Sequence, residues 1–131
     1  MVKIIDGKNA TLGRLASYVS KECLKGEEII ILNCDKIIIT GNKKNIKENF
    51  EKKRKWVGST QKGPKISRIS EKIVKKVIRG MLPNYRNGRG RDAFKKLRCY
   101  NNVPKEFEEK EKIISGKIKT TKFIEVKELS K

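Results

Sequence analysis

The residues best suited to specific chemistry in this sequence are arginines separated by glycines. Residues 87–91, NGRGR, alternate Gly88 and Gly90 with Arg89 and Arg91. A guanidinium binds a phosphate through two parallel N–H donors, and an intervening glycine lets the main chain lie close to a nucleic-acid backbone. The alternative is a solvated, flexible loop. Because basic residues flank this run on both sides, the pattern favours contact with a polyanion.

Two aromatic residues, Trp56 and Tyr85, lie within basic stretches of the sequence. Either ring is able to stack on an unpaired nucleic-acid base. Either ring is equally able to fill the edge of a hydrophobic core. The sequence leaves both roles open for both residues.

Groups suited to catalysis or metal binding are scarce. The chain has no histidine, which removes imidazole bases, histidine-containing triads and the commonest transition-metal ligand. Its three cysteines, Cys23, Cys34 and Cys99, are scattered and lack C-x-x-C spacing, so they predict neither a disulfide framework nor a zinc site. We expect buried, reduced thiols, no metal and no cofactor.

Carboxylates are few in the basic middle of the chain. They are Glu48, Glu51, Glu71 and Asp92. Each has a basic neighbour within four residues, so we expect ion pairs there rather than acid–base catalysis.

The turn after the first predicted strand lies where a dinucleotide-binding fold places its phosphate loop. Its glycines, Gly7 and Gly13, match neither the G-x-G-x-x-G nor the G-x-x-x-x-G-K-[ST] pattern. Without those glycines the backbone cannot approach a pyrophosphate closely. We therefore expect a structural turn at residues 6–10, and a turn residue rather than a ribose ligand at Asp35.

Composition and charge indicate the class of partner and the cellular location. The chain has 131 residues and a formal net charge of +19, of which +16 falls within residues 41–100 and only +1 within residues 1–40. Such a concentration of charge persists when an anionic partner neutralises it. The longest apolar run, residues 29–32, is far too short for a membrane helix, and the N-terminus has no signal-peptide pattern. We expect a cytoplasmic protein with no membrane partner.

The first forty residues predict the scaffold. Residues 2–5 and 29–32 are short apolar strands, and apolar residues recur at helical spacing from Leu12 to Cys23 between them. Residues 37–39 form another apolar β-branched run. Continuous apolar runs on both sides of a helix predict buried parallel strands.

The middle of the chain predicts basic helices. Residues 43–55 read as a helix that only Ile46 and Phe50 dock to the core, and residues 57–69 lack periodicity and predict a loop. Residues 70–82 form the clearest amphipathic helix, with one apolar face and one basic ridge.

The remaining elements are short. A helix through Ala93 and Leu97 and a further strand at residues 98–101 follow the arginine run. Beyond Pro104 the composition shifts to mixed Glu and Lys with irregularly spaced apolar residues. We expect a surface extension with one short docked element.

Four segments together resemble a known family: IDGKNATLGRLAS, ILNCDKIIITGNK, KGP and VIRGMLPNYRNGRGRDAFKKLRCYNNVP. They are similar to large-subunit ribosomal protein thirteen in its archaeal and eukaryotic cytosolic form. The resemblance covers residues 2–108 without large gaps. Two departures stand out: family members commonly have a proline at the start of the helix before RGMLP, where this chain has Arg68-Ile69-Ser70, and the tail after Phe107 is short and lysine-rich.

The resemblance implies an α/β fold. The implied architecture is a three-layer α/β/α sandwich with a small parallel sheet of about four strands in the order 3-2-1-4, Rossmann-like without a nucleotide site, with basic loops and a C-terminal extension. It divides the chain into an RNA-binding domain at residues 1–108, with its basic contact region at residues 42–98, and a Lys/Glu-rich extension at residues 109–131.

The resemblance also implies a structural role without catalysis, in which the chain binds large-subunit ribosomal RNA and supports assembly of the subunit. The implied partners are that RNA and neighbouring large-subunit proteins, with no small-molecule substrate and no homo-oligomer. Carried over position by position, the family's RNA-facing motif falls on Arg79, Gly80, Met81, Pro83, Arg86, Gly88, Arg89, Gly90, Arg91, Lys95, Lys96 and Arg98, while Met81 and Leu82 are assigned to packing.

Charge and resemblance together give the predicted contact set. The predicted RNA-binding residues are Lys43, Lys44, Lys47, Lys52, Lys53, Arg54, Lys55, Trp56, Lys62, Lys65, Arg68, Lys72, Lys75, Lys76, Arg79, Tyr85, Arg86, Arg89, Arg91, Lys95, Lys96 and Arg98. Two other functions compete with this one. A nucleic-acid-modifying enzyme with a nucleotide cofactor needs a phosphate loop that the sequence lacks, and a nonspecific DNA-compacting protein leaves the buried strands unexplained.

Overall fold

Two apolar strands and the helix between them form the centre of the fold. The computed structural model describes residues 2–59, 63, 65–114, 116 and 121–130. Strand β1 spans Val2–Asp6, helix α1 spans Leu12–Leu24 and strand β2 spans Glu28–Leu32. The two strands pair in parallel, with Ile4 opposite Ile30. The predicted strand, helix, strand unit is therefore confirmed.

Strand β2 is apolar on both faces because both faces are covered. Ile29 and Ile31 pack into the main core with α1, whereas Ile30 and Leu32 face a second, smaller cluster. Successive side chains of a strand point to opposite faces, so a continuous apolar run requires two buried surfaces. The smaller cluster includes Phe107, from a short 3₁₀ helix.

The outer strands of the sheet differ from the predicted assignment. Strand β3, Ile38–Thr40, lies outside the parallel sheet and pairs antiparallel with β6, Phe123–Glu125. Strand β4, Leu97–Cys99, occupies the position beside β2, and β5, Ile113–Ile114, occupies the position beside β1. The order is β4-β2-β1-β5. The observed order differs in detail from the predicted 3-2-1-4, because β3 comes before β4 in the chain but pairs outside this sheet, while the α/β class and the four-stranded parallel sheet are confirmed.

The last described residues of the chain dock against the core. Helix α5, Val126–Leu129, follows β6 directly, and Ile124 and Val126 are completely buried. The amide of Val126 donates a hydrogen bond of 2.8 Å to the Ile37 carbonyl. The expected short docked element is β6 with α5, and residues 108–111 before it are exposed. The structure adds a second docked strand, β5, because a short β segment without periodicity can still pair with a distant strand.

Three further helices carry most of the positive charge. Helix α2 spans Lys43–Arg54, α3 spans Ser70–Met81 and α4 spans Gly88–Lys95. Helices α3 and α4 both contact α1 and also contact β4, so they share with α1 the face of the sheet that holds the main core. None of the helices in the described part of the chain is long and apolar enough to cross a membrane.

Candidate nucleic-acid interface

Helix α3 separates its apolar and basic residues as the sequence predicts. Ile73, Val74 and Ile78 are buried in the main core. Of its cations, Lys72 and Lys76 are exposed. The cations of α3, of the turn that follows it and of α4 are together called the α3–α4 surface: Lys72, Lys75, Lys76, Arg79, Arg86, Arg89, Arg91 and Lys95.

A residue from far along the chain fixes the start of α3. The helix begins at Ser70 after Ile69, whose side chain cannot cap it. Instead, the Asn101 side-chain oxygen accepts a hydrogen bond of 2.9 Å from the amide of Glu71. A capping oxygen satisfies one of the amides that a helix start leaves unpaired. The start of α3, which has no proline in this chain, is therefore capped by a residue that is distant in sequence.

Aromatic rings join the cations of α3 to α4. The Lys75 ammonium lies 5.1 Å from the centre of the Phe94 ring, and the Arg79 guanidinium lies 4.6 Å from the centre of the Tyr85 ring. The two rings are 6.3 Å apart, at an angle of 59°. Cations near an aromatic face are attracted by its negative charge density. Lys75 and Arg79 are thus held in place before any partner binds.

Tyr85 also contacts a second guanidinium, that of Arg86. Arg86 lies 5.5 Å from the centre of the ring, and its Nε donates a hydrogen bond of 3.3 Å to the Tyr85 hydroxyl. This hydrogen bond, together with the charges of Arg86 and Arg79, lowers the pKa of the Tyr85 hydroxyl. The sequence left base stacking and core filling open for Tyr85. The structure shows a different role, in which the half-buried ring positions Arg79 and Arg86.

The arginine run forms a helix start and not a flexible loop. Helix α4 begins at Gly88, which has a positive φ of 64°, and Arg89 and Arg91 lie exposed in its first turn. Gly90 is buried, and a Cβ there would lie 2.2 Å from the Pro83 carbonyl oxygen. The close approach that Gly90 permits is therefore to this chain's own backbone, which corrects the expectation of an approach to nucleic acid at this residue.

The RGMLP segment also needs one correction. Leu82 is buried as expected, but Met81 is 44% exposed and does not belong to the core. Gly80 faces open space, because a Cβ built on it meets nothing within 4 Å. The end of α3 therefore exposes both Gly80 and Met81 beside Arg79.

Helix α2 holds its cations differently. Ile46 and Phe50 pack against the core only in part, and no residue of the helix is fully buried. The Asn42 side chain caps its start by accepting a hydrogen bond from the Lys44 amide. Glu128 of α5 lies 3.7 Å and 3.6 Å from the ammonium groups of two of its lysines. These two lysines are Lys43 and Lys47.

The rest of α2 and the residues after it project into solvent. Lys44, Lys52, Lys53, Lys55 and Trp56 are exposed, and Arg54 is half-buried. Among the described residues, none of these cations has a carboxylate within ion-pair distance. Trp56 is 53% exposed, which excludes the core-edge role for its ring.

Of the four carboxylates in the basic segment, one forms an ion pair among the described residues, and that pair is long-range. Glu51 pairs with Arg68, 17 residues away, at 3.0 Å. The other three carboxylates, Glu48, Glu71 and Asp92, have no ion pair with any residue that the structure describes, so the expectation of local pairing fails for them. Side-chain spacing along a helix permits pairs, but exposed pairs bring little free energy and are easily lost to solvent.

Other predicted contact residues stand apart. The Lys96 ammonium donates a hydrogen bond of 3.2 Å to the Gly26 carbonyl, which closes the turn between α1 and β2. Lys65 and Arg98 are exposed, Arg98 on the edge strand β4. The predicted contact residue Lys62 lies outside the described residues.

Comparison with known proteins identifies the family. Residues 1–106 match the family described as Ribosomal protein L13. The chain belongs to that family. It is 45% identical over 131 residues to "Large ribosomal subunit protein uL13" of Methanocaldococcus jannaschii, covering 98% of this chain and 94% of that protein. The proteins of the same name from Archaeoglobus fulgidus and Thermoplasma volcanium are 40% and 38% identical, covering 98% and 99% of this chain and 85% and 96% of theirs.

Members of the L13 family are structural ribosomal proteins and not enzymes. In this L13-family chain, two glycines lie at the turn after β1, the place where a dinucleotide-binding fold has its phosphate loop. A Cβ on Gly7 would lie 2.8 Å from the Ile37 side chain, and a Cβ on Gly116 would lie 1.9 Å from the Lys8 carbonyl oxygen. Both glycines thus bring backbone segments of the chain together. The turn after β1 is structural, as predicted, and Asp35 lies in a short 3₁₀ turn.

Two of the three cysteines of this L13-family chain, Cys23 and Cys34, have raised thiol pKa values. Cys23 and Cys34 are buried, and all three cysteines are free. Burial is the main cause that raises the pKa of Cys23, to about 11. A hydrogen bond with Cys99, followed by burial, raises the pKa of Cys34. A thiol with a raised pKa holds little of the nucleophilic thiolate at neutral pH.

Two residues that position the interface were not predicted. Phe94 holds Lys75, and Asn101 caps α3. The one available signal for Phe94 was its place one turn from the arginine run. Asn101 gave no local signal, since its partner lies 30 residues earlier in the chain.

Proposed function

We propose that this chain is a structural component of the large ribosomal subunit that binds large-subunit ribosomal RNA through phosphate contacts and supports assembly of the subunit. Family membership supports the ribosomal role, and the names of the relatives place those proteins in the large subunit. Neighbouring large-subunit proteins are further proposed partners. The predicted contact residues, including Lys62, remain part of this proposal.

One observation carries the RNA-binding part of the proposal. The α3–α4 surface gathers eight cations, and within the described residues none of them pairs with a carboxylate. Unpaired cations on one surface repel each other unless an anionic partner neutralises them. RNA is the polyanion that a ribosomal protein meets.

The surface favours recognition of backbone shape rather than base sequence. Arg79 and Arg86 are fixed around Tyr85, and Arg89 and Arg91 project from the first turn of α4. Guanidinium groups bind phosphate oxygens through paired N–H donors. RNA helices are recognised mostly through phosphate and 2′-hydroxyl contacts. We therefore assign to these arginines the task of fitting a folded RNA backbone.

Salt dependence tests the proposal. Affinity of the full chain for a large-subunit ribosomal RNA transcript should fall by about a thousandfold or more between about 50 and 200 mM salt, because each neutralised phosphate releases counterions. Duplex DNA of matched length serves as the control and should bind more weakly at about 150 mM salt. Affinity that barely changes with salt, or that is equal for DNA and RNA, contradicts the proposal. Gradient sedimentation of the tagged chain with the large subunit tests its cellular side.

A further inference from the structure

A cleft of about 500 Å³ opens between the end of α2 and the segment that leads to α3. Its size falls within the range of small-ligand sites. The lining residues are Arg54, Lys55, Trp56, Val57, Lys65, Ile66 and Ser67. No described contact of the fold fills it.

The apolar part of the cleft is unusually open to solvent. Trp56 is 53% exposed and its neighbour Val57 is 58% exposed. An indole ring is a large apolar surface that usually lies in a core or against a partner. Here the flat ring stands at the wall of a cleft, where a second planar group can lie against it.

All the charged residues that line the cleft are cationic. Arg54, Lys55 and Lys65 contribute three positive charges, and no carboxylate is among the described residues that line it. One nitrogen of Arg54, Nη1, is inaccessible to solvent and has no hydrogen-bond partner among the described residues. A buried N–H group without an acceptor is costly, so the Arg54 side chain gains free energy if it turns this nitrogen towards an anionic oxygen in the cleft.

Two other clefts of the described structure differ from this one because they contain carboxylates. The cleft between α2 and α5 is lined by Glu51, Glu125 and Glu128 as well as by lysines. The cleft at the start of α3 includes Asp35. In both, carboxylates offset the cations, so neither attracts an anion as the Arg54 cleft does.

The backbone holds the tryptophan in place. Gly63 has a positive φ of 57°, and a Cβ there would lie 1.8 Å from the Trp56 carbonyl oxygen. The chain thus returns from its loop directly against the backbone of Trp56, in a conformation that suits glycine. A ring carried on a fixed backbone loses less freedom on binding than one on a mobile loop.

We infer that this cleft binds one unpaired nucleotide of RNA, whose base stacks on Trp56 while its phosphate meets Arg54 and Lys65. The inference rests on the proposed function and specifies the partner at this site as single-stranded RNA. Stacking uses the π-face that every base has, so the cleft recognises an unpaired base without selecting its sequence. A base-paired helix cannot supply that face, except at its ends.

An acidic peptide is the competing occupant. It would satisfy Arg54 and the lysines equally well. It would leave the face of Trp56 uncovered, because carboxylate side chains have no planar surface of matching size. The exposed indole therefore favours a nucleotide.

The chain itself provides the probe, because Trp56 is its one tryptophan. We expect a short single-stranded oligouridylate to change the fluorescence of Trp56 in the full chain in a saturable manner at moderate salt. A blunt-ended RNA duplex of equal charge should change it much less. Labelled oligouridylate then measures affinity for variants without tryptophan.

Substitution separates stacking from charge. Trp56→Leu should weaken oligouridylate binding by about 5- to 150-fold, the range that stacking of one base gives, whereas Trp56→Phe should retain most of the affinity. Because Trp56 is exposed, neither change should unfold the chain. Tyr18→Leu, which removes another exposed aromatic residue on α1, is the matched control and should leave affinity unchanged.

Several results would overturn the inference. They are an unchanged Trp56 fluorescence, an equal response to the duplex or to oligoglutamate, and equal affinity of the Leu and Phe variants. If Trp56→Leu loses no oligouridylate affinity while ribosomal RNA binding keeps its salt dependence, the nucleotide site fails and the proposed function stands. If ribosomal RNA itself does not bind, the proposed function fails.

Discussion

The α3–α4 surface and helix α2 are both rich in lysine and arginine, but the rest of the fold supports them differently. On the α3–α4 surface, Ile73, Val74 and Ile78 anchor the helix in the core, and the rings of Tyr85 and Phe94 hold its cations. Helix α2 has no fully buried residue, and most of its lysines extend into solvent. The number of charges is therefore a poor guide to how they are presented.

The difference concerns conformational entropy. A free lysine side chain loses up to about 2 kcal/mol of rotamer freedom when a contact fixes it. Lys75 and Arg79 have lost much of that freedom already, because Phe94 and Tyr85 hold them. We therefore expect the α3–α4 surface to contribute geometry and α2 to contribute mainly long-range attraction.

The largest expected effect tests the anchoring of α3. Ile78→Ala removes a completely buried side chain and should lower the free energy of unfolding by about 2–5 kcal/mol. Ile46→Ala is the matched change on α2, where the side chain is half-buried, and should cost less than half as much. Urea denaturation of both variants measures the pair. An equal cost would show that α2 is anchored as firmly as α3.

The next largest effect on stability is expected from substitutions of two glycines, Gly90 and Gly80. Gly90→Ala places a methyl group 2.2 Å from the Pro83 carbonyl oxygen and should destabilise the fold by about 1–3 kcal/mol. Gly80→Ala meets no atom within 4 Å and should stabilise α3 by up to about 1 kcal/mol. Thermal unfolding compares them. A stable Gly90→Ala variant would mean that α4 does not need its close contact with the residues before it.

Matched charge removal tests the comparison of the two regions directly. Replacing Arg79, Arg89 and Arg91 by Gln should lower ribosomal RNA affinity by about tenfold or more and reduce the salt slope by about two to three. The same change at Lys44, Lys52 and Lys53 of α2 should reduce the slope to a similar extent but the affinity less. Filter binding across a salt series measures both quantities. A larger affinity loss from the α2 variant would reverse the comparison.

The smallest expected effect is a change in the pKa of Tyr85. Arg86→Gln removes the hydrogen-bond donor and one positive charge, so the pKa of Tyr85 should rise towards its ordinary value. Ultraviolet titration of the phenolate measures the change, with Tyr85→Phe identifying which step belongs to this residue. Bound RNA should also raise this pKa, because phosphates offset the arginine charges. An unaltered titration in Arg86→Gln would show that the two side chains do not meet in solution.

Local patterns were enough to predict the elements of the body. The apolar residues from Leu12 to Cys23 predicted α1, and the two faces of residues 70–82 predicted α3 with its basic ridge. These predictions succeed because burial of one helix face imposes a period of 3.6 residues that is visible in the sequence. The basic character of the α3–α4 surface followed from the same reasoning.

Short segments were predicted less well. Residues 37–39 were read as a strand of the parallel sheet, but β3 pairs with β6 instead. Two- and three-residue strands such as β5 carry no period of their own, and their partners are chosen by the shape of the core. The same holds for Gly90, whose need for space arises from the chain that returns past it.

The sequence by itself determined the parallel strand, helix, strand unit, the sites of the longer helices and the concentration of positive charge, because each of these depends on residue type and local spacing. Tertiary structure alone decided which strands pair, that Asn101 caps α3, that Tyr85 holds arginines, and that Trp56 stands in a cationic cleft. Those features join residues far apart in the chain, and their energies depend on distance and orientation in space, which spacing along a sequence does not encode.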